Sequence, residues 1–339
     1  MKDKSEIYNL VNYLTFNTDN YALGVHFCGL TNVKERIDIF EHACKKGPAF
    51  VDFDMHSLPF VAKEEIDNAV NELCDYADGD GFIALTAHWL TPMINISDAT
   101  MRGANNSRYT LTPEEYHGIM VDGTPQNKNF LDELKIEADF IRKLQKRGVA
   151  VIFRPLHEGN GGWFWWTTNK ETGITGADAA KLYIFVYNYF TKTQGLDNII
   201  WQFNSGLCAP GHYDWYPGDE YVDMYGTDWY ISMEEYENPP VARYKGVYDY
   251  AMRELGKKPF ALAEYGGDGT YPANKLPLAQ TLSTYEAHID MGAKAAFLGV
   301  YFDLGEQDCT VTERCITLDK MSDYRKKAAG LKGVVSTEK

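Results

Sequence analysis

The chain has 339 residues, 45% of them hydrophobic, with 48 acidic and 33 basic side chains giving a net charge of −15. A negative field of that size repels phosphate backbones and anionic lipid, which excludes nucleic acid and membrane surfaces as partners and favours a neutral substrate. The opening residues hold no signal-type apolar stretch and no run approaches bilayer-spanning length, so the chain reads as soluble.

Eight short apolar segments, rich in β-branched and aromatic residues, read as strands in chain order. They are ALGVHFC (22–28), PAFVDFDM (48–55), GFIALTAHW (81–89), GVAVIFRPLHE (148–158), NIIWQFN (198–204), YVDMYGTDWY (221–230), KPFALAEYG (258–266) and AAFLGVYFD (295–303). Stretches of helical period lie between them: Val33–Lys45, Lys63–Asp78, Asn129–Arg147, Gly176–Thr193, Val241–Leu255 and Pro277–Met291. Strict alternation of strand and helix predicts a parallel sheet with helical crossovers, and eight such units close an α/β barrel, the (β/α)8 TIM fold, as one domain over 1–339. The polar, irregular stretch from His88 to Lys128 suits a substrate-lining loop after the third strand. The six cysteines form no CxxC pair and no Cys/His ligand spacing, so no zinc site is expected. Cys309 and Cys315 are close enough for a loop staple and read as two free thiols.

Polar groups recur at the C-terminal ends of these apolar runs: His26, Asp54, His88, His157 with Glu158, Gln202 with Asn204, Asp228 with Tyr230, Glu264, and Tyr301 with Asp303. One such residue is ordinary exposure; a ring of them on one mouth of a barrel is an active-site floor. Glu158 sits in RPLHEGNGGWFWW among glycine and tryptophan, where bulky aromatic surroundings let a carboxyl hold a proton near neutral pH. Glu264 ends an apolar strand in KPFALAEYGG. Placed on the fourth and seventh strands, the two carboxyls face one mouth from opposite sides, as a glycosidase acid and nucleophile do. The pair His157-Glu158 is no zinc-protease motif, because HEGNG lacks the second histidine.

The combination RPLHEGNGGWFWW, AEYGG and YVDMYGTDWY resembles glycoside hydrolase family 26, best known for β-mannanases, over nearly the whole chain. The resemblance implies a retaining endo-β-1,4-mannanase without cofactor or metal, with Glu158 as acid/base and Glu264 as nucleophile. It further implies that His157 and His88 contact sugar, that Trp163 lines the cleft and that Tyr230 hydrogen-bonds the nucleophile. The implied partner is a β-mannan polysaccharide or manno-oligosaccharide, met by a monomer outside the cell; trimming of imported oligosaccharides would give a cytoplasmic address instead. β-1,3-Xylan and mixed-linkage β-glucan are the rival substrates, and a silent carbohydrate-binding barrel is the rival class. Trp165 and Trp166 read as packing beneath the loop, Trp89, Trp215 and Trp229 as candidates for outer sugar stacking, and Asp228 as a structural hydrogen-bonding group. The chain departs from the family pattern at Gly159, Thr167 and Tyr301, which bears on substrate grip.

Overall fold

The computed structural model describes residues 3–27, 29–98, 107–232, 234–235, 241–267, 278–301 and 311–331. Eight parallel strands are present: β1 (Tyr21–Phe27), β2 (Phe50–Asp54), β3 (Phe82–Thr86), β4 (Val151–Arg154), β5 (Ile199–Gly206), β6 (Met224–Ile231), β7 (Phe260–Gly267) and β8 (Phe297–Tyr301). Each pairs with the next, and β1 pairs with both β2 and β8, so the sheet closes into the expected (β/α)8 barrel. A two-residue strand, β9 (Cys315–Ile316), adds to the start of β1.

The helices are α1 (Lys4–Phe16), α2 (Val33–Cys44), α3 (Lys63–Asp78), α4 (Pro113–Gly118), α5 (Pro125–Lys146), α6 (Gly176–Asn188), α7 (Val241–Tyr250), α8 (Leu278–Asp290) and α9 (Leu318–Gly330). Helix α5 starts one turn before the periodicity suggests, because Thr124 caps the amide of Asn127 and Pro125 fills the first helical position. Helix α1 lies outside the expected repeat. Asp3 caps it, and Ile7, Leu10, Val11 and Leu14 join the apolar cluster inside the lower barrel. There Phe50, Phe82 and Phe297 meet with ring centroids 4.6–5.7 Å apart, so the barrel floor is solid.

Two strands end earlier than their apolar runs. β4 stops at Arg154 since Pro155 has no N–H to give the ladder, and β3 stops at Thr86. His88, His157 and Glu158 therefore stand on the turns above the strands and not on them.

Strand β7 carries a bulge. Thr227 faces Leu262 whereas Asp228 faces Glu264, and on the other side Leu262 faces Leu298 whereas Tyr265 faces Val300. One extra residue, Ala263, is thus inserted against both neighbours. Ala261 and Ala263 belong to the inner cluster, Leu262 and Tyr265 to the outer one. Strict alternation would send Glu264 outward with Leu262; the bulge turns it into the barrel. Gly299 of β8 makes room, since a Cβ there would lie 2.0 Å from the Ala263 carbonyl oxygen.

Cys315 is a buried free thiol, as its sequence position suggests, and Cys309 lies outside the described residues, as does Asp303. Cys44 is held in a disulfide, which the cysteine spacing did not announce. Among the described residues no helix is long and apolar enough to cross a membrane.

Candidate active site

The turn after β4 is built from unusual backbone. Leu156 and Glu158 both adopt left-handed conformations, with φ of 54° and 55°. Such values cost a non-glycine residue of order 1 kcal/mol or more and persist only where surroundings fix them. Here the Glu158 amide donates to the Asn204 carbonyl of β5 at 2.8 Å, and the Gly161 amide donates back to the Glu158 carbonyl at 2.7 Å. The glycines of GNGG are needed for contact. A Cβ at Gly161 would meet the Trp163 indole at 2.3 Å, and one at Gly159 would meet Trp215 at 2.5 Å, so the departure at Gly159 is matched by a tryptophan from the next loop. Trp163 then turns its Nε1 onto Glu158 Oε2 at 2.7 Å.

Glu158 has that one neutral donor. Burial, and then the negative charge of Glu264, push its carboxyl up to about 7, against the weaker pull of the Trp163 hydrogen bond. Glu264 is the reverse case. Burial opposes its ionisation, but Arg154 Nη2 lies 2.7 Å from Oε1, Tyr230 donates to Oε2 at 2.5 Å, and His26 Nε2 is 3.9 Å away. The guanidinium above all, with the histidines around it, holds Glu264 far below the usual carboxylate range. Tyr230 in turn is kept a phenol by burial and by Glu264.

Arg154 is the residue the sequence reading passed over. It is fully buried and shared among Asp52 at 2.6 Å, Glu264 and Asp228 at 3.4 Å. The signals were present: Arg154 has the inward parity of Ile152, and Asp52 shares its face with Asp54. Burial and the Glu264 charge push the Asp228 carboxyl up, against Arg154 and the Asn204 Nδ2 that donates to it at 2.6 Å, in line with a structural role. His157, Asp228 and Glu264 bring ligand atoms within 4.8 Å of one another, yet the positive charge among them is supplied by Arg154.

A chain of hydrogen bonds crosses the floor beside the carboxyls. Thr86 Oγ1 meets His157 Nδ1 at 3.1 Å, His157 Nε2 meets His88 Nε2 at 3.1 Å, and His88 Nδ1 meets Asp54 Oδ2 at 2.7 Å. Burial, reinforced by His88, keeps His157 neutral. The structure thus gathers Glu158, Glu264, His88, His157, Trp163 and Tyr230 at one mouth, with His26, Asp54, Asn204 and Asp228. Trp165 and Trp166 pack beneath the turn as expected, giving their indole N–H groups to the carbonyls of Trp89 and His157. Trp89, Trp215 and Trp229 correct the sequence reading: all three are wholly buried and none offers a stacking face. Trp89 spends its Nε1 on Glu137 of α5, and Trp229 lies against Tyr244 and His288.

A barrel mouth bearing two carboxyls in opposite protonation states has the equipment of a glycoside hydrolase. The profile of glycosyl hydrolase family 26 matches residues 2–285, and the chain belongs to that family. It is 27% identical over 281 residues to a mannan endo-1,4-beta-mannosidase of Bacillus subtilis, covering 78% of this chain and 71% of that one. It is 31% identical over 249 residues to a mannan endo-1,4-beta-mannosidase of Thermothelomyces thermophilus, covering 72% and 46%. The solved Bacillus subtilis mannanase superposes with a TM-score of 0.69 at 22% identity, over 89% of this chain and 87% of that one, a likeness of fold.

Proposed function

We propose that the protein is a retaining endo-β-1,4-mannanase, with Glu264 as nucleophile and Glu158 as acid and then base. The observation that carries this reading is the opposed setting of the two carboxyls: Glu264 is paired with a guanidinium that favours its charge, and Glu158 meets a neutral indole, with its carboxyl pushed up to about 7. In the first step Glu264 attacks the anomeric carbon while the Glu158 proton passes to the glycosidic oxygen, so the C–O bond breaks and the leaving sugar departs with that oxygen as a hydroxyl. The ester has no charge, and with that repulsion gone Glu158, now a carboxylate, takes a proton from water as the water oxygen attacks the anomeric carbon. The ester opens, Glu264 regains its charge and Glu158 its proton.

Tyr230 and Arg154 orient the nucleophile and hold its charge. Trp163, half-buried with its indole on Glu158, lines the cleft beside the scissile bond. His88, whose ring keeps an exposed edge, meets the sugar on the non-reducing side, and His157, almost wholly buried, serves it through His88. All these groups come from one barrel, so one chain suffices. Mannan as substrate rests on the curated relatives, and a polymer that cannot cross a membrane places the encounter outside the cell.

The test uses purified protein with mannan, galactomannan, β-1,3-xylan and mixed-linkage β-glucan, then a manno-oligosaccharide beside an activated aryl mannoside. Mannan should release reducing ends fastest. Glu264→Ala should lose ~10^4-fold or more in kcat/KM on both small substrates, while Glu158→Ala should lose that much kcat/KM only where the leaving group needs a proton, since its loss as base slows the second step alike for both. Binding without product on every polysaccharide overturns the hydrolase reading, and equal losses for Glu158→Ala overturn its role as acid.

A further inference from the structure

The side chain that fixes the acid-bearing turn is Asn160, two residues past Glu158 and almost wholly buried. Its carboxamide pairs with the backbone of Gly206 in both directions: Oδ1 accepts the Gly206 N–H at 2.8 Å, and Nδ2 donates to the Gly206 carbonyl at 2.9 Å. Nδ2 also reaches the carbonyls of Ala209 at 2.9 Å and Pro210 at 3.3 Å, and His212 Nδ1 at 3.4 Å. The amide orientation is fixed by this pattern, because a flip would set N–H against N–H. A strand residue pairs in the same two-way manner. β4 lost its ladder at Pro155; the Glu158 amide reaches β5 at Asn204, and Asn160, five residues after Pro155, adds a two-way connection at Gly206.

Gly206 is the meeting point. A Cβ placed on it would lie 3.3 Å from Glu158 Cβ, 3.4 Å from Glu158 Cγ and 3.4 Å from Trp163 Cζ2. Gly206 also faces Asp228, which faces Glu264, so it stands in the row of residues that spans β5, β6 and β7. The residue to which Asn160 is tied is therefore the one on which the Glu158 stem rests.

We propose that Asn160 is a positioning residue for the acid/base: by pairing with Gly206 it sets the distance of the Glu158 carboxyl from the glycosidic oxygen and keeps that carboxyl in its dry, indole-lined site. The inference rests on the reading of Glu158 as acid. Asn160→Asp keeps the acceptor and loses every donation, while Gly206→Ala leaves Asn160 intact and presses on the Glu158 stem from beneath.

Both variants are assayed with a manno-oligosaccharide and an activated aryl mannoside across pH, with Glu158→Ala on the same substrates as reference and thermal melting to verify folding. A displacement of ~1 Å costs up to ~100-fold when geometry is critical. The kcat/KM for the oligosaccharide should fall by that order, and that for the aryl mannoside by no more than ~2-fold. In Gly206→Ala, which adds no charge, the basic limb of the pH profile should also move to lower pH, because a displaced stem admits water and relieves the burial that raises Glu158. Equal losses on the two substrates, or no loss, with the basic limb unmoved in the variant that folds, overturn the proposal. If Glu158→Ala itself loses both substrates equally, it is the acid assignment that fails; if Glu158→Ala discriminates and the Asn160 and Gly206 variants do not, only the positioning claim does.

Discussion

The turn that carries Glu158 and the bulged strand that carries Glu264 present the same side chain to one mouth in opposite states. Glu264 leaves the barrel wall by the insertion at Ala263, pointing inward at the level where Arg154 also points inward, so a guanidinium and a phenol reach it. Glu158 stands above the wall on a left-handed turn, where among the described residues Trp163 is its one hydrogen-bond donor and no cation forms an ion pair with it. Height on the barrel thus decides charge. Strand parity selects from the interior, which holds the counterion; a turn selects from the rim, which here is aromatic.

The counterion is where this contrast breaks most easily. Arg154→Met removes the guanidinium that Asp52 and Glu264 share and leaves the two buried carboxyls to His26 and Tyr230, a change that costs ~3–5 kcal/mol in comparable cases. Denaturant unfolding should show that loss, and the acid limb of activity should move to higher pH as Glu264 loses the guanidinium that favours its ionised form. An unmoved acid limb would show that Arg154 does not set the state of Glu264. Tyr230→Phe should have a smaller effect in the same direction: a hydrogen bond to a charged group is worth ~1.5–3 kcal/mol, so kcat/KM should fall ~10- to 150-fold with folding preserved. Gly299→Ala tests the bulge. Its Cβ collides with the Ala263 carbonyl, and overpacking of this kind costs ~1–3 kcal/mol. Because the nucleophile is displaced, activity should drop alike on good and poor leaving groups, the opposite signature to a fault in the Glu158 turn.

The eight strands were legible because each is a short β-rich apolar run, and the ring of polar ends marked the mouth correctly. Both glutamates were legible for the same reason, although nothing in FALAEYGG reveals that Glu264 faces inward only through a bulge; alternation alone sends it outward. The two short strands were overextended because apolar character continues through Pro155 and Leu156 after hydrogen bonding has stopped. Arg154 was hidden by its place at the tail of an apolar run, where it looks like a strand end meeting solvent, yet it is wholly buried. Trp89, Trp215 and Trp229 misled in the opposite way. An aromatic next to a functional residue looks like a platform, but alternation and turn geometry pointed these three rings into the layer between barrel and helices. Asn160 lay in full view within HEGNG, and only coordinates could show that its amide pairs with a backbone 46 residues away.

The finest test of the contrast is thermodynamic and needs no substrate. Glu158 titrates near 4.5 in an unfolded chain and at about 7 in the folded one, so between those values the native state keeps a proton that the unfolded state has lost. Its contribution to stability is therefore whole below pH 4.5 and disappears as pH rises through 7. Glu264, shifted the other way, makes a contribution that is whole above its ordinary range and lost as pH falls. Glu158→Gln should remove the first slope and leave the second. Asp228 is pushed up chiefly by burial and Glu264 and in lesser part by Glu158, so Glu158→Gln also relaxes part of its slope, in the same direction. Denaturation midpoints measured from pH 4.5 to 7 should converge or cross for wild type and Glu158→Gln. Parallel curves across that window would mean that Glu158 carries no proton the unfolded chain lacks, and that the rim and the wall of the barrel hold their carboxyls in the same state after all.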